Sequence, residues 1–223
     1  LIEHRRADNR NFPALLPDSL AQLKGHYKIR VGKEGRVAAR KAVSVRIKPR
    51  DAYRYGYLLW ADEASGLLLK ASLLDEHGGV VEQYMFTQVS IGKPIAESEL
   101  KPQYPTKGIV WQRADEGTPT PSAGRWTAAH LPTGFSLSAR MMRMLPARKQ
   151  PVEHLVYSDG LAVVSVFVEK VGDEAKPNVL SGLTHMGAVH AFGKVVDGHQ
   201  VTVVGETPAL TVDMIGESVR PEP

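Results

Sequence analysis

The sequence predicts an α+β fold made mainly of antiparallel β-sheet, and three observations carry that prediction. Runs of β-branched and aromatic residues recur with a period of two, the spacing of a strand with one wet face. Short turns rich in Gly, Asp and Glu join these runs with no helix between them, which argues against a parallel fold built from crossover helices. A proline-rich stretch then divides the 223 residues, a length for which two domains are expected. The division falls at residues 1–93 for a larger first unit, 94–123 for a linker and 124–220 for a small antiparallel α+β domain.

In the first unit, Pro17-Asp18-Ser19 followed by Leu20 and Leu23 predicts a short helix capped by Asp18 or Ser19 and stopped at Gly25. The segments HYKIRV, RKAVSVRIKPR and GYLLWADE follow as strands, with Val43, Val45 and Ile47 on one face of the second and Ser44, Arg46 and Lys48 on the other. Gly32-Lys33-Glu34-Gly35 is expected to turn between the first two strands, Asp62 to Gly66 between the next two, and Glu76-His77-Gly78-Gly79 at the end of LLLKASLLD. Up to Gly92 this is a curved antiparallel meander with a helix against it. Tyr53, Tyr55 and Tyr57 fall on one face of their strand and Leu58 and Trp60 on the other. Such a stripe is more often core than binding surface, and both uses are kept open here.

Pro94, Pro102, Pro105, Pro119 and Pro121 mark the linker. Beyond it, Phe135, Leu137 and Ala139 are expected on one face of a strand. VEHLVYSDGLAVVSVFVEK is a hairpin turning at Ser158-Asp159-Gly160, and AVHAFGKVVDGHQVTVVGETP is another turning at Asp197-Gly198, a dipeptide that tolerates positive φ. PNVLSGLTHMG is expected to form a short helix. A terminal helix is expected over TPALTVDMIGESV, with Thr207 as N-cap and Pro208 at its first position.

Composition narrows the chemistry. The chain has no cysteine, so disulfides, thiolate metal sites and cysteine nucleophiles are excluded. Eight histidines stand at 4, 26, 77, 130, 154, 185, 190 and 199 with no pair at the i, i+4 spacing of a helical metal motif. There is no nucleophile elbow, phosphate loop or dinucleotide fingerprint, so the chain is read as a non-enzyme without a cofactor. The chain opens at Leu1 with no initiator Met, from which a processed or truncated product is expected, and no apolar run approaches the ~18 residues of a membrane span.

Charge is uneven. Residues 1–60 hold 14 Lys and Arg against 5 Asp and Glu, and residues 61–223 hold 14 against 19, so the net +4 is a cancellation of +9 and −5. No acidic residue stands between Glu116 and Glu153, where Arg125, Arg140, Arg143, Arg148 and Lys149 lie. Such a zone attracts anionic partners: nucleic acid, acidic protein segments or lipid phosphates. Nucleic-acid binding has the charge without a recognition helix, an RNP pattern or a zinc finger, so no nucleic-acid partner is expected.

From Lys48 to Gly92 the sequence resembles the RseB or MucB family of periplasmic regulators. The resemblance rests on Arg50-Asp51 ahead of Tyr55-Gly56-Tyr57, on the order Leu-Trp, hairpin, Leu-Leu-Leu-Lys, and on Glu82-Gln83 entering the last strand. Val156 to Val168, Gln200 to Pro208 and the opening FPALLPDSLAQLKGHY extend it on both sides of the linker. The resemblance implies a first domain folded as a half-open barrel similar to the lipoprotein carriers LolA and LolB, here expected to be cut short at its start. It implies binding of the periplasmic segment of a membrane anti-sigma factor in the sigma-E envelope stress response, shielding it from proteolysis until lipopolysaccharide or lipid displaces the regulator. It places the chain in the periplasm, peripheral to the membrane through its partner, and is compatible with a homo-oligomer. The shared barrel equally suits a lipid or lipoprotein carrier. Arg140, Arg143, Arg148 and Lys149 are the candidate anion contacts by charge, with Tyr53, Tyr55, Tyr57 and Trp60 as the aromatic candidates.

Overall fold

A computed structural model describes residues 12, 16, 22–101, 120–121, 124–145, 150–171 and 180–222. The first sheet is an antiparallel meander of β1 (Tyr27–Val37), β2 (Arg40–Pro49), β3 (Gly56–Asp62), β4 (Leu68–Leu74) and β5 (Val80–Met85), in that spatial order. Its main core follows cross-strand rows. Ile29, Ile47, Tyr57 and Leu73 stand opposite one another across four strands, and Val45, Leu59 and Ala71 form the next row. Leu23 closes this face from a single 3-10 turn, Gln22–Gly25. The rest of the helix expected from Asp18 lies outside the described residues.

The turn expected at Gly32 to Gly35 does not form. β1 runs through it with a bulge between Val31 and Glu34, and the chain reverses at Ala38-Ala39, whose φ angles are +49° and +61°. The glycines serve packing instead: a Cβ on Gly32 would come 2.6 Å from the Ser44 hydroxyl, and one on Gly35 would come 2.7 Å from the Trp60 ring. Ser44 donates to the Lys33 carbonyl at 3.0 Å, holding the bulge shut. The turns after β3 and β4 form as expected. In the first, Asp62 accepts from the Ser65 N–H and hydroxyl at 3.0 and 2.8 Å.

The second sheet comprises β6 (Thr120–Pro121), β8 (Ser136–Arg143), β9 (Val152–Ser158), β10 (Val163–Lys170), β11 (Gly182–Met186), β12 (Val189–Val196) and β13 (His199–Gly205). Its spatial order is β11-β12-β13-β10-β9-β8-β6. Leu155, Val166, Val203 and Phe192 make one continuous buried row. Val212 and Ile215 of α1 (Ala209–Ser218), the one α-helix among the described residues, join that row's core cluster as the helix packs on β12 and β13. A small ribbon of β7 (Trp126–Ala128) and β14 (Val219–Pro221) ties the chain's end beside the helix. The architecture is mainly antiparallel β with open sheets.

Three further expectations are corrected. PNVLSGLTHMG is not helical where it is described: Gly182–Met186 is the edge strand β11, paired with β12 around Gly187. Thr207 is not the helix cap. It is fully buried, and Pro208, in an extended conformation, occupies that position, so α1 begins at Ala209. Phe135, Leu137 and Ala139 do not share a strand face, because Phe135 precedes β8 and a bulge separates Leu137 from Ala139. The hairpin at Asp197-Gly198 forms with φ of +49° and +71°, as the dipeptide predicts.

Candidate partner-binding site

The best-built polar cluster lies where the two sheets meet, and the turn at its centre is set by Asp159. One carboxylate oxygen of Asp159 accepts from the N–H groups of Leu161 and Ala162 at 2.9 and 2.8 Å, which fixes the β9–β10 turn. The other reaches into the first sheet. It accepts from the Tyr27 hydroxyl at 2.8 Å and lies 3.2 Å from Nε of Arg54.

Arg54, 1% exposed, sits in the bend before β3. Its guanidinium donates to the Thr133 carbonyl at 2.7 Å and lies 3.4 Å from Asp51. It is held between the rings of Tyr27 and Phe135, at 5.5 and 5.2 Å from their centroids. A buried cation is tolerated when it is paired and stacked in this way. Burial and the Asp159 carboxylate push the Tyr27 hydroxyl well above its ordinary range, so it remains a donor.

Apolar and backbone contacts widen the joint. Leu161 and Ala188 of the second sheet enter the core of the first, and the Thr211 hydroxyl of α1 donates to the Tyr53 carbonyl at 2.5 Å. His190 Nδ1 is 2.9 Å from the Thr207 carbonyl, which can only accept, so this nitrogen carries its hydrogen. The Tyr55 oxygen stands 3.5 Å from the same nitrogen.

The aromatic candidates separate by position. Tyr53 and Tyr55 precede the strand, and only Tyr57 lies within β3, so the expected three-tyrosine strand face is corrected to a bend followed by a strand. Tyr55 and Tyr57 are buried, and burial raises both hydroxyls above the ordinary range. Tyr53 is half-buried. Trp60 is half-buried on the opposite face of the sheet, against Val37, Ala42 and Leu69.

The basic candidates do not form one patch. Arg140 and Arg143 lie on opposite faces of β8, because the register is regular from Ala139 to Arg143. Arg140 is paired with Glu222 at 2.5 Å, while Arg143 is 3.4 Å from Nδ1 of His154, whose ring stacks on Phe167 at 4.3 Å. Arg148 and Lys149 lie outside the described residues. Among the described residues no group of His, Asp and Glu is placed to hold a metal ion, and no helix is long and apolar enough to cross a membrane.

Comparison with known proteins places this arrangement. A profile of the MucB/RseB N-terminal domain matches residues 1–104, and one of the MucB/RseB C-terminal domain matches 120–220. The crystal structure of MucB in complex with MucA(peri) superposes with a TM-score of 0.72 at 34% identity, covering 92% of this chain and 71% of that one. The chain belongs to the MucB/RseB family. The Pseudomonas aeruginosa MucA/MucB complex structure is similar to the same degree, with a TM-score of 0.72 and 35% identity over 97% of this chain and 74% of that one. The sigma factor AlgU regulatory protein MucB of Pseudomonas aeruginosa is 38% identical over 91% of this chain. The sigma-E factor regulatory protein RseB of Escherichia coli K12 is 30% identical over 94%. The chain spans 63% and 64% of the lengths of these two relatives.

The sheet-to-sheet joint was missed in the sequence, although both of its halves fall in segments that carry the family resemblance. Asp159 was visible as a turn residue and Asp51 as part of a motif. Arg54, a cation among tyrosines just before a strand, was the available signal.

Proposed function

We propose that this protein is a negative regulator of a sigma-E-type envelope stress response. It acts in the periplasm by binding the periplasmic segment of a membrane anti-sigma factor and shielding it from proteolysis, with no catalysis of its own. The observation that carries the reading is the likeness, over more than nine-tenths of the chain, to structures of MucB bound to MucA. In this reading residues 1–93 belong to a half-barrel of the LolA and LolB kind, 94–123 link it to the α+β domain at 124–220, and a partner laid across both senses their mutual placement. The Arg54–Asp159 joint supports it, since a rigid joint presents a two-domain surface at lower ordering cost.

Lipopolysaccharide or lipid releases the partner through the basic residues Arg140, Arg143, Arg148 and Lys149, with Arg140 giving up Glu222 to a ligand phosphate on its own face of β8 and Arg143 serving the opposite face. Tyr53 and Trp60 offer aromatic surface, and the buried Tyr55 and Tyr57 support it from within. Co-elution of this chain with the purified periplasmic segment of its anti-sigma factor, and slower cleavage of that segment by added protease, is the expected result. Absence of co-elution sinks the reading. Reversing Arg140 and Arg143 to Glu should leave partner binding in place and blunt displacement by lipopolysaccharide. Undiminished displacement moves the anion contact elsewhere.

A further inference from the structure

The register of β1 against β2 sets cations directly opposite cations. Lys28 faces Lys48 and Arg30 faces Arg46, two rows apart on the same face of the ribbon. All four are exposed. Like charges directly opposite destabilise a sheet, so the arrangement works against folding while concentrating positive potential on one patch. Among the described residues of these three strands, no free carboxylate on that face neutralises it. The carboxylate that β1, β2 and β3 place there is Asp62, at the far end, and Arg40 already holds it at 2.6 Å.

The neighbours on β3 give the patch a second character. Leu58 stands opposite Arg46 and Trp60 opposite Ser44 on the same face, both partly open to solvent. Gly35 leaves the space into which the Trp60 ring leans. Long cationic stems beside a tryptophan and a leucine, on one face, match the interfacial layer of a bilayer, where phosphates and acyl boundary lie side by side. An acidic peptide would be matched by the cations alone and would leave the apolar neighbours unused.

We propose that this face of β1–β3 is a membrane-contact surface for anionic phospholipid headgroups. It rests on register and charge, independently of the anti-sigma partner and of the zone around Arg140. Each Lys or Arg near such a surface strengthens partitioning about fivefold at moderate salt, so four together give a contact that is weak alone and useful beside a membrane-anchored partner.

The test is sedimentation of the whole chain with phosphatidylcholine vesicles, with or without phosphatidylglycerol, at low and high salt. Binding to the phosphatidylglycerol vesicles, absent with phosphatidylcholine and lost at high salt, is expected. The double variant R46E/K48E should need at least about tenfold more lipid for half-binding, and its melting temperature should not fall, because each new carboxylate faces a cation. If it does fall, the neutral pair R46Q/K48Q is judged by the same loss of binding. The charge-matched variant K101E/K170E should bind as the unmodified chain does. The proposal is overturned if the unmodified chain ignores anionic vesicles, if the double variant binds equally well, if the control loses as much, or if the chain retains polyglutamate but not vesicles.

Discussion

Arg54 and Asp159 show how much a single buried charge depends on its partner. Both side chains are fully shielded from water, so removing Arg54 leaves the Asp159 carboxylate buried without a cation, and removing Asp159 leaves Arg54 with Asp51 at 3.4 Å as its remaining carboxylate; a cost of up to about 3–5 kcal/mol is expected. Asp159→Asn is therefore expected to be strongly destabilising in denaturant melts, although asparagine keeps the shape of the turn, and Arg54→Met is expected to fall in the same range. A change below about 1 kcal/mol in both would mean that the apolar contacts around Leu161 and Ala188, rather than the charge pair, hold the joint.

The Arg40–Asp62 pair makes a prediction in pH. The Arg40 hydrogen bond, helped by Ser65, holds the Asp62 carboxyl well below the usual carboxylate range. Its stabilisation is complete above the unfolded value of about 4 and is lost as pH falls through it toward the folded value. Arg40→Ala should lower the melting temperature at pH 7, and the gap from the unmodified chain should shrink as melts are taken at successively lower pH below about 4. A gap that stays constant with pH assigns the effect of Arg40 to packing. At this scale Asp159 was legible as a turn residue. Its partner was not, because Tyr27 is 132 positions away and only the fold brings the two together.

At the scale of elements, glycines were read by their commonest use and two had another. Gly32 and Gly35 suggested a turn, while the real reversal is Ala38-Ala39, a pair with no turn signal that is held in left-handed backbone by the flanking strand pairs Val37–Arg40 and Arg36–Lys41 and by Arg36 donating to the Ala39 carbonyl at 2.7 Å. Gly35→Val is expected to cost about 1–3 kcal/mol, because the new side chain meets the Trp60 ring. Tryptophan fluorescence should shift with the displaced ring, and a variant with unaltered stability and emission would show that the bulge absorbs the extra atoms.

Gly216 poses the same question on α1, where a Cβ would come 2.3 Å from the Phe192 ring. Gly216→Ala should lower stability despite alanine's better helix propensity; a higher melting point would mean that propensity outweighs the contact. The hairpins at Asp62, Glu76 and Asp197 were legible because their turn chemistry is local. β11 was not, since Leu183 and Met186 are exposed and the strand exists through its pairing with β12.

For the whole molecule, the two sheets share a joint rather than only a connecting segment. Under the proposed function, seam variants should therefore act on partner binding beyond their effect on stability. Below its own melting range, Asp159→Asn is expected to weaken binding of the anti-sigma segment by tenfold or more in calorimetric titration, whereas Arg40→Ala, on the first sheet's far end, should leave it unchanged. Equal affinities for the two variants would show that the partner reads one sheet alone.

The sequence by itself determined the antiparallel class, most of the strands, both aspartate-glycine hairpins and the family, because period-two patterning, local turn chemistry and ordered motifs need only neighbouring residues. The tertiary structure alone decided that Arg140 and Arg143 point to opposite faces, that four cations of β1 and β2 face one another in two pairs, and that Arg54 finds Asp159. Register and sheet-to-sheet packing set those distances, and both are properties of residues far apart in the chain.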